Sequence, residues 1–561
     1  MDTQRLILFF VFSFSLLLLW DAWQKDHRPP VQTVAQSGKQ GAAQATVPSP
    51  SVPTQAAPTP QQKPGDAIPP ALPGQVKHEK ITVKTDNYVA DIDLLGGDIV
   101  RLELLKQKDT LDEKANFVLF SPAHHYAAQS GLIGPGLPTH KTTYSAEARE
   151  YSLTRGDDKL EVRLEAPGSA GVKTVKTLTF HRASYVIDIT HEIVNESAEP
   201  LAAHAYFQFL RDEVPPAGDP KMVNTYTGPA IYTEQEKFEK LSFSDLEKDK
   251  AKFPKSADNG WVAMLQHYFV SAWLPKEGTR REYYAKPLAD KLFSVGVILP
   301  VPAIAPKASG SVSVSLYAGP QEQEALKDIA PGLNLTVDYG WLTVIAAPIF
   351  WLLQFLHKWV GNWGVAIILL TVMIKAVFFP LSAASYKSMA KMKLVTPRMT
   401  KLREQYGNDK ARLNQAMMDL YKTEKINPLG GCLPIVVQIP VFISLYWVLL
   451  ASVELRHASW FWIHDLAAPD RMFTIPGIDM PVGVLPIVMM VTMIFQTKMN
   501  PTPPDPVQAK VMMIMPFAFG FMFFFFPAGL VLYWVVNNVL SIAQQWQITR
   551  MIGGDKGHAH R

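Results

Sequence analysis

The stretch that decides the fold is Trp363 to Ser385, WGVAIILLTVMIKAVFFPLSAAS, in which one cation stands within an apolar run. Its length and composition predict a membrane-spanning helix, because about 20 apolar residues cross a bilayer core of roughly 30 Å. Lys375 would then lie near the middle of the membrane, where a buried charge costs several kcal/mol and usually faces a bundle interior or a water-filled cavity. The sequence therefore predicts a polar cavity beside Lys375. A lysine that only fixes the orientation of its helix is the alternative.

Composition indicates a membrane domain after Leu333. The 561 residues are 48% hydrophobic, and most of the 29 Phe and 20 Met lie in that half. The single cysteine, Cys432, excludes an internal disulfide, a thiolate zinc site and a four-cysteine iron–sulfur cluster. Redox chemistry is therefore not expected. Because the His, Asp and Glu residues show no metal-ligand or catalytic-triad spacing, we also expect no cofactor, no resident metal and no catalytic residues.

The N-terminal part predicts an anchor followed by a tether. Residues 1–24 contain the apolar run Leu6 to Trp20, and no small-residue cleavage pattern follows it, so we expect an uncleaved signal anchor with a cytoplasmic N-terminus. Cleavage as a signal peptide is the alternative. Residues 25–76 are rich in Pro, Ala, Gln, Ser and Thr and predict a disordered tether, because they contain too little apolar surface to fold.

Residues 77–335 predict a large extracytoplasmic antiparallel β-sandwich. Polar and apolar residues alternate in four runs separated by Gly, Pro, Asn and Asp, namely Lys80–Lys84, Val172–Phe180, Tyr185–Val194 and Ser311–Leu316. Sandwiches of this size also occur as carbohydrate-binding or sugar-modifying domains, so a carrier of an extracytoplasmic carbohydrate-active domain is a second hypothesis.

The remaining segments complete a prediction of six spans with both termini in the cytoplasm. We expect an interfacial amphipathic helix over 336–361 and spans over 362–384, 428–451, 482–498, 508–526 and 527–549, connected by a periplasmic-side loop over 452–481, an inner loop over 499–507 and a basic cytoplasmic tail over 550–561. A spanning helix over 336–361 is the alternative, but it would place the basic segment that follows outside. The fourth span is short for a bilayer core, which implies local thinning of the membrane.

Residues 385–427 predict a cytoplasmic helical hairpin. They contain more Lys and Arg than Asp and Glu, and the positive-inside rule places such a segment in the cytoplasm. Apolar residues step by threes and fours on both sides of Gly407–Asp409. The basic surface could meet anionic lipid, ribosomal RNA or an acidic protein, and its candidate contacts are Lys387, Lys391, Lys393, Arg398, Lys401 and Arg403.

The polar residues of the predicted spans indicate what the cavity does. The spans after residue 361 contain amides and hydroxyls with Lys375 but no Asp or Glu, and an ion-coupled transporter normally has a carboxylate at mid-membrane. A small-solute transporter is therefore the weaker hypothesis. A hydrated groove with one positive charge suits the transient holding of polar segments of another polypeptide. Its candidate residues are Lys375, Thr371, Gln438, Asn537, Ser541 and Gln544.

Two motifs resemble the bacterial YidC membrane-protein insertase family. They are Lys425–Pro434, KINPLGGCLP, and Phe526–Trp534, FPAGLVLYW, and they occur together with the basic hairpin and Gln544–Gln545. The anchor, tether and outer domain resemble the Gram-negative form. The resemblance implies an insertase core and a β-supersandwich outside. It also implies newly made inner-membrane proteins as clients, the SecYEG translocon with its accessory Sec proteins, the ribosome and the lipid bilayer as partners, and no small-molecule substrate.

By matching position, the resemblance also implies residue roles. Lys375 falls where the family has a groove arginine, Thr371 falls on a groove threonine, and Tyr533 and Trp534 fall on an aromatic pair that contacts the client. Lysine retains the charge but lacks the planar fork that binds a carboxylate through two parallel hydrogen bonds. The departure from the family pattern predicts an electrostatic role for Lys375 rather than a bidentate grip.

Overall fold

The computed structural model describes residues 79–558 except 113, 170, 220–224, 408, 425–432, 476–479 and 501–505. The predicted signal anchor, the tether and Cys432 lie outside the described residues. The chain divides into two units, one of residues 1–61 with 502–514 and one of residues 62–501 with 515–561. Of the described residues, 506–514 belong to the first unit and the others to the second.

The β-rich domain begins at Lys80 and continues to Pro320. Its strands are β1 (Lys80–Lys84), β2 (Tyr88–Asp93), β3 (Asp98–Lys108), β4 (Asn116–Phe120), β5 (Ala127–Ile133), β6 (Ser145–Ala146), β7 (Glu150–Ser152), β8 (Lys159–Glu165), β9 (Val172–His181), β10 (Val186–Asn195), β11 (Leu201–Asp212), β12 (Gly228–Thr233), β13 (Lys237–Lys240), β14 (Ser256–Ala257), β15 (Trp261–Leu265), β16 (Phe269–Leu274), β17 (Arg281–Pro287), β18 (Leu292–Ile304) and β19 (Ser309–Pro320). A short hairpin of β20 (Phe473–Ile475) and β21 (Met480–Val482) follows much later in the chain.

Two sheets share the core of this β-domain. One has the order β14-β17-β18-β11-β5-β3-β2-β1-β7 with β4 paired to β3, and the other has the order β13-β12-β15-β16-β19-β10-β9-β8-β6. Phe207 of the first sheet and Trp273 of the second have ring centroids 5.2 Å apart, and both are buried. Buried and partly buried residues alternate along β2, and exposed and less exposed residues alternate along β8, as expected where one face of a strand packs on a core. The predicted large β-rich domain is confirmed.

The β-domain also encloses an ion pair. Lys176 Nζ lies 3.6 Å from Asp98 Oδ1, and both side chains are almost fully buried. Gln129 donates to the other carboxylate oxygen at 3.0 Å, and Lys176 donates to the Gly96 carbonyl at 2.9 Å. Burial raises the pKa of Asp98 to about 7 and lowers the pKa of Lys176 to about 8, since both charged forms lose hydration.

The helices lie in and after the β-domain. They are α1 (Phe243–Glu247), α2 (Gln323–Ile329), α3 (Thr343–Val360), α4 (Trp363–Val377), α5 (Phe379–Tyr406), α6 (Lys410–Thr423), α7 (Leu433–Ala451), α8 (Val484–Met499), α9 (Pro506–Phe523) and α10 (Ala528–His558). Buried apolar residues of α3, α4, α7, α8 and α10 form one cluster, which also contains Trp261 and Tyr317 of the β-domain.

The expected single helix over 362–384 is wrong. Two helices, α4 and α5, meet at Phe378 with a bend of 67°. Pro380 explains the break, because its ring clashes with the carbonyl four residues earlier and it has no N–H to donate. Lys375 consequently lies in the last turn of α4 and not at the midpoint of a long helix.

The hairpin and the tail also differ from their predicted limits. α5 already begins at Phe379 and runs without a break into the basic segment, and α6 follows with Asp409 accepting hydrogen bonds as its N-cap. Met392, Val395 and Met399 pack against Met417, Leu420 and Tyr421, so the methionines lie along the hairpin's own seam. The predicted tail over 550–561 is helical as far as His558, because no proline interrupts α10 there.

The number of spans stays a prediction. Among the described residues, one helical stretch is long and apolar enough to cross a membrane, Gly340–Val360, which is α3 together with the single 3-10 turn before it. The bent pair α4 and α5 would add a second. That first helix is the segment expected to lie at the interface. The apolar stretches in α7, α8 and α9 are shorter, over Val437–Ala451, Val484–Met499 and Ala509–Phe523.

Candidate substrate groove

A cavity of about 260 Å³ lies among α4, α5, α7, α8 and α10. Most of the residues that line it have polar but uncharged side chains, and Lys375 is the single Lys, Arg, Asp or Glu among the lining residues. They are Lys375, Ser382, Ser385, Tyr386, Met389, Gln438, Ile439, Phe442, Gln496, Asn500, Tyr533, Trp534, Asn537, Asn538 and Ser541. The polar cavity predicted beside Lys375 is therefore present in the structure.

A chain of hydrogen bonds positions the ammonium group in this cavity. Lys375 Nζ donates to Ser541 Oγ at 2.7 Å, and that hydroxyl donates to the Asn537 carbonyl at 2.7 Å. Gln438 Nε2 donates to Asn537 Oδ1 at 2.7 Å, which joins α7 to the same network. Side chains from α4, α7 and α10 thus meet at one place, and the half-buried amine faces polar groups.

The polar stripe of α10 divides between two faces. Asn537 and Ser541 face Lys375 and Gln438, as described above. Asn538 donates to Thr492 Oγ1 at 3.3 Å, and Gln545 donates to Asn500 Oδ1 at 3.1 Å, so these two amides bind α10 to α8. Amides between packed helices are a known source of adhesion in membranes. The stripe therefore acts both as cavity lining and as a helix contact.

Aromatic rings form another part of the cavity wall. Phe442 lies edge-on to Trp534 at 4.8 Å between centroids and stacks on Tyr533 at 6.4 Å. The buried indole N–H of Trp534 has no hydrogen-bond partner among the described residues. A buried donor without a partner is energetically costly.

Six of the eight groove residues predicted from the sequence line the cavity, and two do not. Thr371 is fully buried and donates to the Ile367 carbonyl of its own helix at 2.7 Å. Gln544 reaches only the Phe379 carbonyl, at 3.4 Å. The prediction missed Ser385, Tyr386 and Met389 of α5, because residues 385–427 were assigned to the cytoplasmic hairpin. Asn538 could have been predicted from the sequence, because it directly follows the predicted groove residue Asn537 in an otherwise apolar helix.

The basic hairpin residues stand on its surface. All six predicted contacts are exposed: Lys387, Lys391, Lys393, Arg398, Lys401 and Arg403. Arg398 pairs with Glu424 across the hairpin at 2.5 Å. A surface pair of this kind contributes about 0–1 kcal/mol to stability. It offsets one of the six positive charges, so the surface stays basic.

Two family models match the chain, the YidC periplasmic domain over residues 80–352 and the 60Kd inner membrane protein over residues 355–555. The membrane protein insertase YidC of Dechloromonas aromatica (strain RCB) is 58% identical over 555 residues, which cover 98% of each chain. The chain belongs to the YidC membrane protein insertase family. The YidC of Aromatoleum aromaticum is 57% identical over 564 residues and covers 100% of both chains.

Among solved structures, the active YidC insertase with its first transmembrane domain resolved has a TM-score of 0.39 at 18% identity, covering 84% of this chain and 92% of that one. Family membership itself rests on the sequence relatives. As a YidC family member, the chain is an inner-membrane insertase with a periplasmic domain, and its clients are nascent membrane proteins that enter the lipid bilayer.

Proposed function

We propose that the cavity around Lys375 is the groove in which this insertase holds the polar segments of a client while the apolar segments enter the lipid. The observation that supports it is the network joining Lys375, Ser541, Asn537 and Gln438 in a cavity whose lining has no other charged side chain. Polar backbone and side chains lose hydration on entering a bilayer, and amides and hydroxyls replace part of that hydration. The groove lowers the barrier without making or breaking a bond.

Lys375 acts through the electrostatic attraction of its positive charge rather than through two parallel hydrogen bonds to one carboxylate. An ammonium is a compact charge with three donors, and one of them is directed to Ser541. Clients whose translocated segments contain Asp or Glu gain most from this charge. The positive charge of Lys375 repels basic translocated segments. The groove therefore discriminates among clients by the charge of these segments.

The proposed topology has six spans, with both termini in the cytoplasm. α3 lies along the outer leaflet. Trp341 just before it and Trp351 and Trp359 within it are exposed, as expected for aromatic residues at a membrane interface. The sixteen residues of α8 reach about 24 Å, so the bilayer is thinner beside the groove. A thinner bilayer shortens the distance that a polar segment must cross.

The exposed hairpin is the proposed contact for the ribosome, and the SecYEG translocon is the proposed partner for clients with several spans. Five of the six basic hairpin residues have no salt bridge within the described residues, which leaves their charge available to phosphate groups. Reversing Lys391 and Lys401 to Glu should weaken ribosome co-sedimentation and make the remaining binding less dependent on salt. Unchanged sedimentation at two salt concentrations would exclude the hairpin as the contact.

The groove is tested by changing the charge at residue 375. Lys375→Arg should preserve insertion, whereas Lys375→Glu should abolish it for a client with an acidic translocated segment. The assay is protease protection of the client in liposomes that contain the purified protein. Lys358→Glu is the matched control, because Lys358 is an exposed lysine of α3 outside the groove. If the Glu variant inserts this client as well as the Lys protein does, the proposal is wrong.

A further inference from the structure

The segment that leaves α7 is bound into the β-domain. Arg456, five residues after the end of the helix, is only 8% exposed. Its Nη2 donates to the Lys108 carbonyl at 2.9 Å and to Thr110 Oγ1 at 3.0 Å, both at the end of β3. Arginine thus connects a loop of the membrane part to a strand that precedes it by more than three hundred residues.

Aromatic rings of the β-domain surround the same guanidinium. Its central carbon lies 5.7 Å from the Phe117 centroid, 5.3 Å from Tyr268 and 5.1 Å from Phe269. Phe117 and Phe269 stack on each other with centroids 4.0 Å apart, so the site is built from β4 and β16 together. Cations over aromatic faces are attracted more strongly where water is excluded. Arginine fits this site because its planar group can both stack on rings and donate sideways.

Two further contacts join the same segment to the β-domain. His267 in the turn before β16 hydrogen-bonds the Leu450 carbonyl of α7 at 2.9 Å. Glu454 accepts a hydrogen bond from the backbone N–H of Gln323 at the start of α2. The contacts therefore come from β3, β4, β16 and α2, and they hold one short segment from several directions.

We propose that residues 450–456 form a latch, with Arg456 as its principal side chain, that makes the β-domain and α7 move as one body. α7 also provides Gln438 and Phe442 to the groove wall. The latch thus braces one wall of the groove from the periplasmic side. This coupling stands apart from the proposed groove, because it would exist even if clients bound elsewhere.

The test measures how tightly the β-domain is held on the membrane helices. Nitroxide labels are placed at Ala305 of the β-domain turn and at Ile487 of α8, both exposed, in a full-length Cys432→Ser protein in nanodiscs of phosphatidylethanolamine and phosphatidylglycerol. Pulsed electron resonance gives the distribution of their separation. With Arg456 the distribution should be narrow. Arg456→Ala should at least double its width, and Arg456→Lys should give an intermediate width.

Two controls separate the latch from general loss of structure. Arg471→Ala removes an exposed arginine of the same loop and should leave the width unchanged. A label pair within the β-domain, at Ala305 and Lys159, should stay narrow in every variant. If Arg456→Ala does not fold, Phe269→Leu replaces it in the test. It removes one of the rings around Arg456 and should also widen the Ala305–Ile487 distribution. An unchanged Ala305–Ile487 width in the folded variant overturns the proposal.

Discussion

The latch leads to a prediction about pH that centres on Glu454. Its carboxyl is buried in the turn Val453–Leu455, and one of its oxygens has no hydrogen-bond partner among the described residues. The pKa of Glu454 is raised from 4.5 to about 7, mainly by burial, with smaller upward contributions from Glu322 and Glu324 and opposing contributions from the backbone N–H groups of Glu454 itself and of Gln323. In an undocked loop exposed to water, the same carboxyl has its ordinary pKa.

The direction in which pH changes docking follows from proton linkage. Because the docked state has the higher pKa, it binds the proton more tightly, and docking is strongest below about pH 4.5. Docking then weakens as the pH rises to about 7 and is constant above that value. At about 1.4 kcal/mol for each pH unit between the two pKa values, the charged carboxylate disfavours the docked state by about 3–4 kcal/mol at most. Glu454→Gln stays neutral and should remove this loss.

The assay is amide hydrogen exchange of residues 450–456 in the full-length protein in nanodiscs, corrected for the intrinsic effect of pH on exchange. Comparison of Glu454→Gln with the parent at each pH between 6 and 8 isolates the contribution of Glu454. Burial raises the pKa of Asp219 to about 6, so Asp219 also titrates at the lower end of this range, in the parent and the variant alike. Burial lowers the pKa of His267 to about 4, so His267 stays neutral throughout. Glu454→Gln should increase protection at pH 8 and flatten the pH dependence. Equal pH dependence in the variant and the parent would refute the reasoning.

Three further predictions concern named contacts. Ser541→Ala removes the acceptor for Lys375 and should lower insertion of an acidic client several-fold in the protease-protection assay; full activity would show that the hydroxyl does not position the amine. Gly364→Ala places a Cβ 2.3 Å from an indole ring and should destabilise the protein by about 1–3 kcal/mol, seen as a lower melting temperature, whereas an unchanged one would contradict this packing. Lys176→Met leaves Asp98 without its partner and should cost about 3–5 kcal/mol in denaturant unfolding, most of it recovered by adding Asp98→Asn; no recovery would contradict the pairing.

Much of the organisation follows from local pattern. Alternation of polar and apolar residues placed strands at Lys80–Lys84 and along β9, β10 and β19, because a strand with one buried face repeats every two residues. Steps of three and four placed the hairpin seam at Met399 and Leu420. The insertase motifs needed only the order of residues, and a charge within an apolar run was enough to predict a polar cavity.

What the tertiary structure decided was which of these residues meet. Lys375 and Ser541 are 166 positions apart, and Arg456 and Lys108 are 348 apart, so no local period connects them. The bend at Phe378 brings the start of α5 to the cavity, and Thr371 and Gln544 miss it although both share a helical face with residues that line it. A sequence pattern determines which face of a helix is polar, but the packing of several helices determines which polar groups are close enough to form hydrogen bonds.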